Sequence, residues 1–363
     1  MKWFRKHRVF TRILLSVLIL LLVLMAVVVG YVWSKLSLID YDDGSRPPEN
    51  PVSAEIGDAT QPSEESNAAE AEEQLVDISG LEMMDTLPPL PASKIPVEKD
   101  VLNILVLGTD ERTKELNEAA RSDSMILVSI NKTDKTVKLV SFERGMGVPV
   151  LWGQYEGQYD WMTHIFRYGG AEMVCAVVEE CFRVEVDYYV RVNFTTVKTA
   201  VDAIGGIDIE LTRQEAGALN VTNAEWGRYE QARLQEGMNH LDGQSALLFA
   251  RLRRIDSDWK RVERQRKVIL ATVDALKGSS IVKLNDLLDQ VLPLVQTDMN
   301  TLQIAELMLY SPNFLNSEFD QMTIPKEGTY GGMRGMGGRG LFAVDFEVNS
   351  QILREFLYGE AEK

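Results

Sequence analysis

The stretch Val101–Thr113, VLNILVLGTDERT, decides the reading of the fold. From Val101 to Leu107 it is uncharged and apolar except at Asn103, and it then stops on Gly108, Thr109 and Asp110. Such a run, closed by a turn residue, reads as a strand buried on both faces. Just downstream, SMILVSIN (Ser124–Asn131) and TVKLVSFER (Thr136–Arg144) are two more β-rich runs joined by the turn NKTDK, the pattern of a hairpin. Asp110 and Arg144 therefore both fall just past the C-terminal end of a strand, where α/β sheets commonly bind ligands.

Further out, the pattern alternates. A helical stretch from Gly170 to about Cys181 precedes the strand VDYYVRVNF, the helix TTVKTAVDAI, and the turn and strand GGIDIEL. LNDLLDQVLPLVQTDM and TLQIAELMLYSP read as helices at the domain's edge. The expectation is an α/β domain over residues 101–363, with a mixed central sheet and helices on both faces.

The first hundred residues read differently. Ile13–Trp33 is a run of 21 uncharged residues, long enough for a helix to cross a bilayer core of about 30 Å. A cleaved signal peptide is the competing reading, but it would have a shorter apolar core and a small-residue cleavage site. Lys2, Arg5, Lys6, Arg8 and Arg12 precede the run, so residues 1–12 are expected in the cytoplasm and everything beyond the span outside the cell membrane. Residues 40–100 hold 16 acidic against 3 basic residues and eight of the twelve prolines. Segment 34–100 is accordingly read as an extended acidic stalk.

The two cysteines, Cys175 and Cys181, are six residues apart. On one helix they would be about 9 Å apart, too far for a disulfide, so two buried thiols are expected. Only His7, His164 and His240 exist, none in a metalloprotease or hydrolase setting, and no Walker sequence is present. The glycine-dense GTYGGMRGMGGRG, 328–340, reads as a flexible lid or plain loop. A formal net charge of −16 argues against a nucleic-acid partner.

Against that acidity, FARLRRIDSDWKRVERQRKVI (Phe249–Ile269) sets eight Lys or Arg within seventeen positions. A solvated helix face is the bland reading. The spacing favours a binding face instead: Arg251 and Arg253 share a side if extended, and Arg261 and Gln265 share one if helical. With Asp110, Arg121, Asp123 and Arg144 they offer carboxylates suited to a hard cation and guanidinium forks suited to phosphate. A polyanion site follows.

These motifs, NILVLGTDERT, RSDSMILVSINKTDKTVKLVSFER, VDYYVRVNF with AVDAIGGIDIEL, and LDGQSALLFARLRRIDSDWKRVERQRKVI, resemble in order the LytR-CpsA-Psr family over nearly all of residues 101–270. The resemblance implies a membrane-anchored phosphotransferase that moves teichoic acid, capsule or a similar glycopolymer from undecaprenyl pyrophosphate onto peptidoglycan. It implies that Asp110 and Asp123 hold Mg²⁺, with Asp110, Asp123 and Arg144 catalytic. Arg121, Arg144, Arg251, Arg253, Arg261 and Gln265 would then grip the pyrophosphate. It implies, too, an apolar tunnel for the lipid, for which the runs around 170–205 and 281–309 are candidates. The chain departs from the family pattern at Glu143-Arg144-Gly145, where Pro-Arg-Asp is usual, and at Thr163-His164. Two alternatives stay open: a pyrophosphatase that gives the same bond to water, and a non-catalytic regulator that binds polyprenyl phosphates.

Overall fold

The computed structural model describes residues 30–42, 76–111, 120–252, 255–277, 279–307, 317 and 319–359. The quoted stretch is strand β2 (Val101–Thr109), following a two-residue β1 (Asp40–Tyr41). The hairpin is β3 (Ser122–Asn131) and β4 (Thr136–Phe142), in register Leu127↔Val140. With β7 (Tyr188–Asn193), β10 (Gln296–Thr297) and β11 (Phe319–Ile324) they form one seven-stranded sheet in the order β1-β10-β7-β2-β3-β4-β11. The β2·β7 and β4·β11 pairs are parallel while β2·β3, β3·β4 and β10·β7 are antiparallel, so the sheet is mixed as expected.

Period-2 alternation explains the uninterrupted apolar run. Leu105 and Leu107 join Leu127 and Val140 in a cluster on one face, covered by helices α1 (Ile165–Phe182) and α7 (Phe346–Tyr358). Ile104, Ile126 and Leu139 turn to the other face, where α5 (Asp258–Lys277) packs through Ile269 and Leu270. Asn103, the one polar break, is buried; its Nδ2 donates to the Glu185 carbonyl at 2.8 Å and to the Tyr358 hydroxyl at 3.1 Å.

Around this frame lie the paired strands β5 (Gly147–Pro149) and β6 (Tyr159–Trp161), then α2 (Phe194–Ala203), β8 (Ile207–Leu211), α3 (Arg213–Glu225), β9 (Gly237–Leu241), α4 (Gly243–Arg251) and α6 (Ile281–Val291). Asn193 and Thr196 form a capping box that starts α2 directly off β7, which fixes both ends of that corner. The helix expected from Gly170 begins at Ile165 and kinks at Gly169 and Gly170, where φ reaches +64° at Gly170. The helix expected over 284–299 ends at Val291, because Pro293 follows and the chain turns into β10. Both cysteines are free thiols.

Three expectations change. Parts of the 34–100 stalk belong to the domain: Leu36 and Ile39 are buried, Asp40 and Tyr41 add a strand beside β10, and Val76, Ile78 and Leu81 pack against the main core. Composition concealed this because a few apolar residues in an acidic background suffice to cover a sheet edge and a core rim. The glycine-dense stretch is an ordered hairpin, β12 (Tyr330–Arg334) with β13 (Gly340–Val344), rather than a loose loop. Its glycines admit a neighbouring backbone, since a Cβ at Gly331 would lie 2.6 Å from the Glu82 carbonyl oxygen. Arg251 is the last residue of α4 and so is helical rather than extended, while Arg253 lies outside the described residues. Residues 13–29 of the expected span lie outside the described residues, and among the described residues no helix is long and apolar enough to cross a membrane.

Candidate functional site: an apolar cavity with a cationic mouth

Between the sheet and α2, α4 and α5 lies a cavity of about 150 Å³. Its walls are Val106 of β2, Ile126 of β3, Val192 of β7, Val197 of α2, Leu247 of α4 and Val268 of α5. Polar groups gather on it from three directions: Asp123 from β3, Arg251 from the end of α4, and Arg261 and Gln265 from successive turns of α5. The helical spacing read in the sequence thus sets two predicted ligands on one wall. Arg251 stacks its guanidinium 4.2 Å from the Phe194 ring centre, which holds a flexible cation in place.

Behind the mouth runs a chain of ion pairs. Asp258, in the first turn of α5, accepts from Arg261 Nη2 at 2.9 Å and from Arg144 Nε at 3.2 Å. Arg144 Nη1 lies 3.5 Å from Asp123 Oδ1, to which the Thr163 hydroxyl also donates at 3.4 Å. Burial opposes the charge on Arg144, but Asp258 and Asp123 outweigh it and raise its pKa. Glu143 is buried beside the same group; burial, then the Asp258 charge, pushes its carboxyl up to about 8, so it is protonated at neutral pH. Asp258 and Glu143 were missing from the sequence-derived site. Asp258 carried one signal, its place one turn before Arg261, while nothing in the sequence shows that Glu143 is buried against it.

The remaining predicted residues divide. Asp110 and Arg121 pair at the adjacent ends of β2 and β3: Arg121 Nε donates to Asp110 Oδ2 at 3.1 Å and its backbone N–H to Oδ1 at 3.0 Å. They stand beside the cavity and do not line it. Arg253 lies outside the described residues. Two arginines of the basic run are internal struts. Arg264 donates to Glu215 at 2.8 Å, to the Leu252 carbonyl at 2.7 Å and to Asp256, and Arg266 donates to Ser141 at 2.7 Å and Thr323 at 2.8 Å. The charge concentration that looked like one clamp is therefore part ligand face and part scaffold. Of the apolar runs expected to line a tunnel, 192–197 reaches the cavity; no described residue of 281–309 lines it, and Leu247, Ala250 and Val268 do.

A second buried network adjoins Thr163. Asp160 is bonded to His164 Nδ1 at 2.9 Å and the Tyr168 hydroxyl at 2.6 Å, with Arg339 3.3 Å away. Burial lowers the His164 pKa against the pull of Asp160, and the ring is fully enclosed, so it positions Thr163 rather than reacting.

Among the described residues no cluster of three or more His, Cys, Asp or Glu is placed to hold a metal. Mg²⁺ needs fewer, because it keeps several waters and takes one or two carboxylates together with phosphate oxygens. Asp123 fits that role on the cavity wall. Asp110 also fits, since each of its oxygens retains a lone pair after accepting one bond from Arg121.

The chain is similar to known proteins in sequence and in fold. A polyisoprenyl-teichoic acid–peptidoglycan teichoic acid transferase, TagT of Bacillus subtilis (strain 168), is 34% identical over 195 residues, 53% of this chain and 58% of that protein. A transferase of the same description, TagU of Bacillus cereus, is 32% identical over 236 residues, 64% of this chain and 71% of that protein. The solved structure of TagT bound to LI-WTA superimposes with a TM-score of 0.56 at 26% identity, covering 71% of this chain and 90% of that one. Residues 56–350, most of the 363-residue chain, match the LytR_cpsA_psr family, and the chain belongs to that family.

Proposed function

We propose that this protein is a Mg²⁺-dependent phosphotransferase that moves a glycopolymer, of the teichoic acid or capsule kind, from undecaprenyl pyrophosphate onto peptidoglycan. The observation that carries the reading is the cavity itself, which apolar side chains line together with Arg251, Arg261, Gln265 and Asp123. Such a lining suits a lipid chain joined to a charged head group. The similar transferases, named for polyisoprenyl-linked teichoic acid and peptidoglycan, support the same donor and acceptor classes.

Arg251, Arg261 and Gln265 would bind the pyrophosphate oxygens, with Arg144 held ready by Asp123 and Asp258. An acceptor hydroxyl attacks the phosphorus that carries the sugar. A new phosphodiester forms, the bridging P–O bond breaks, and the polyprenyl monophosphate leaves. Such a loose transition state is accelerated by positioning and by neutralising the equatorial oxygens, which fixed guanidiniums do well. Mg²⁺, held by Asp110 and Asp123, would add a further positive charge on the same oxygens. The run Ile13–Trp33 would anchor the chain as a single span, N-terminus in the cytoplasm and the catalytic domain outside.

Mass spectrometry of lipid extracted from the purified full-length protein tests the site. The expected result is a polyprenyl phosphate or pyrophosphate in near-stoichiometric amount, depleted in Arg261→Ala. Recovery of bulk phospholipid alone would overturn the reading.

A further inference from the structure

We infer that the end of the domain built from residues 30–36 and the first turn of α6 rests directly on the bilayer, with Tyr31, Trp33 and Val282 at head-group depth. The inference rests on the proposed reading of Ile13–Trp33 as a membrane span.

The helical residues 30–36 follow without a break from the apolar run and lie along α6. The Tyr31 hydroxyl donates to Asn285 Oδ1 at 2.7 Å, and one turn later Lys35 pairs with Asp289. Both partners advance by four residues, so the two helices run parallel and their N-termini share one end of the domain. Lys35 and Leu36 are buried there. The chain then enters the sheet at once: Asp40 and Tyr41 pair with Gln296 and Thr297, Asp42 N–H donates to the Thr297 carbonyl at 2.9 Å, and Tyr189 donates to the Asp42 carboxylate at 2.6 Å.

No free linker therefore separates the end of the apolar run from the sheet. The acidic segment 43–75, with nine acidic residues against one arginine, starts from Asp42 on the sheet edge. It returns at Val76, whose Cγ2 stands 2.5 Å from where a Gly145 Cβ would be. Both its ends belong to the domain, so it is not the tether that the sequence suggested.

At the shared helical end, Tyr31, Trp33 and Val282 are 46%, 66% and 69% exposed. Large amphipathic rings beside an apolar span are the composition of a membrane–water interface, where the ring is buried and its polar edge stays wet. Lys283, also exposed, adds a cation beside them for anionic head groups. A bilayer is the occupant that fits, because the 17 residues 13–29 end where this docked helix begins.

The test uses the full chain in vesicles of phosphatidylethanolamine and phosphatidylglycerol. Nitroxide labels are placed singly at Trp33→Cys, Val282→Cys and, on the opposite face of the sheet, Val348→Cys. The background carries Cys175→Ala and leaves Cys181, which is fully buried. Collision with oxygen and with an aqueous nickel chelate reads depth. The expectation is that the label at 282 lies within about 5–10 Å of the head-group–acyl boundary. It should be shielded from nickel several-fold relative to 348, as the label at 33 is. A label at 282 as nickel-accessible as 348, with 33 shielded, would keep the span and overturn the docking. Full nickel access at 33 as well would overturn the span and the docking together.

Discussion

Arg261→Lys separates a fork-shaped ligand from a mere positive charge. Arg261 is 1% exposed, lines the cavity, and donates from Nη2 to Asp258 at 2.9 Å. The planar group can hold Asp258 and still present nitrogens to a phosphate oxygen, whereas a lysine ammonium is a single point that cannot face both ways. The substitution therefore forfeits about one charge-assisted hydrogen bond, about 1.5–3 kcal/mol, which is about a tenfold to 150-fold loss in kcat/KM. Arg261→Ala should lose more, because the transition-state charge is left without its partner and Asp258 loses one of its cations. Transfer from a lipid-linked donor is measured for both variants alongside thermal midpoints, which separate a site effect from unfolding. If both variants turn over like the parent, Arg261 is only a scaffold partner of Asp258 and the reasoning fails.

Asp123→Asn should abolish Mg²⁺-dependent turnover with the fold intact, and full activity of the parent in excess chelator would contradict the metal assignment. Glu143 has a carboxyl raised to about 8 from an unfolded value of 4.5, so the unfolded state loses that proton first and the parent loses stability as pH rises between those values. Glu143→Gln, which is neutral at every pH, should be spared that loss. A stability difference that opens by up to about 1.4 kcal/mol per pH unit over this window is expected in denaturant titrations, and a constant difference would refute the buried-acid assignment. Val197→Trp fills the apolar wall of the cavity and should cut lipid binding and turnover together while costing about 1–3 kcal/mol of stability; unchanged lipid content would show that the chain binds elsewhere.

Legibility followed periodicity. Val101–Leu107 and the hairpin Ser124–Phe142 were readable because strands covered on both faces leave an apolar signature, and the turn NKTDK fixed their pairing. Arg261 and Gln265 were readable because one helical turn sets them on one wall. What was hidden depends on contacts distant in sequence. Nothing local distinguishes Arg264 and Arg266, which tie α5 to α3 and to the sheet, from Arg261, which faces the cavity. Glu143 and Asp258 are 115 positions apart, and only the fold shows that they share one enclosed site with Arg144. Asp40 and Tyr41 make a strand of two residues, too short for any alternation to reveal, and their acidic surroundings pointed to a stalk. The cavity's walls come from six separate elements, so no single run could announce it.

Incubating the purified full-length protein with a lipid-linked glycopolymer labelled at the sugar-side phosphate, with and without peptidoglycan, distinguishes transfer from hydrolysis. The label is expected to move onto peptidoglycan through a phosphodiester, polyprenyl monophosphate to appear in equal amount, and both products to vanish in Asp123→Asn. Release of the glycopolymer phosphate into water at the same rate whether or not peptidoglycan is present would contradict transfer and identify a pyrophosphatase instead.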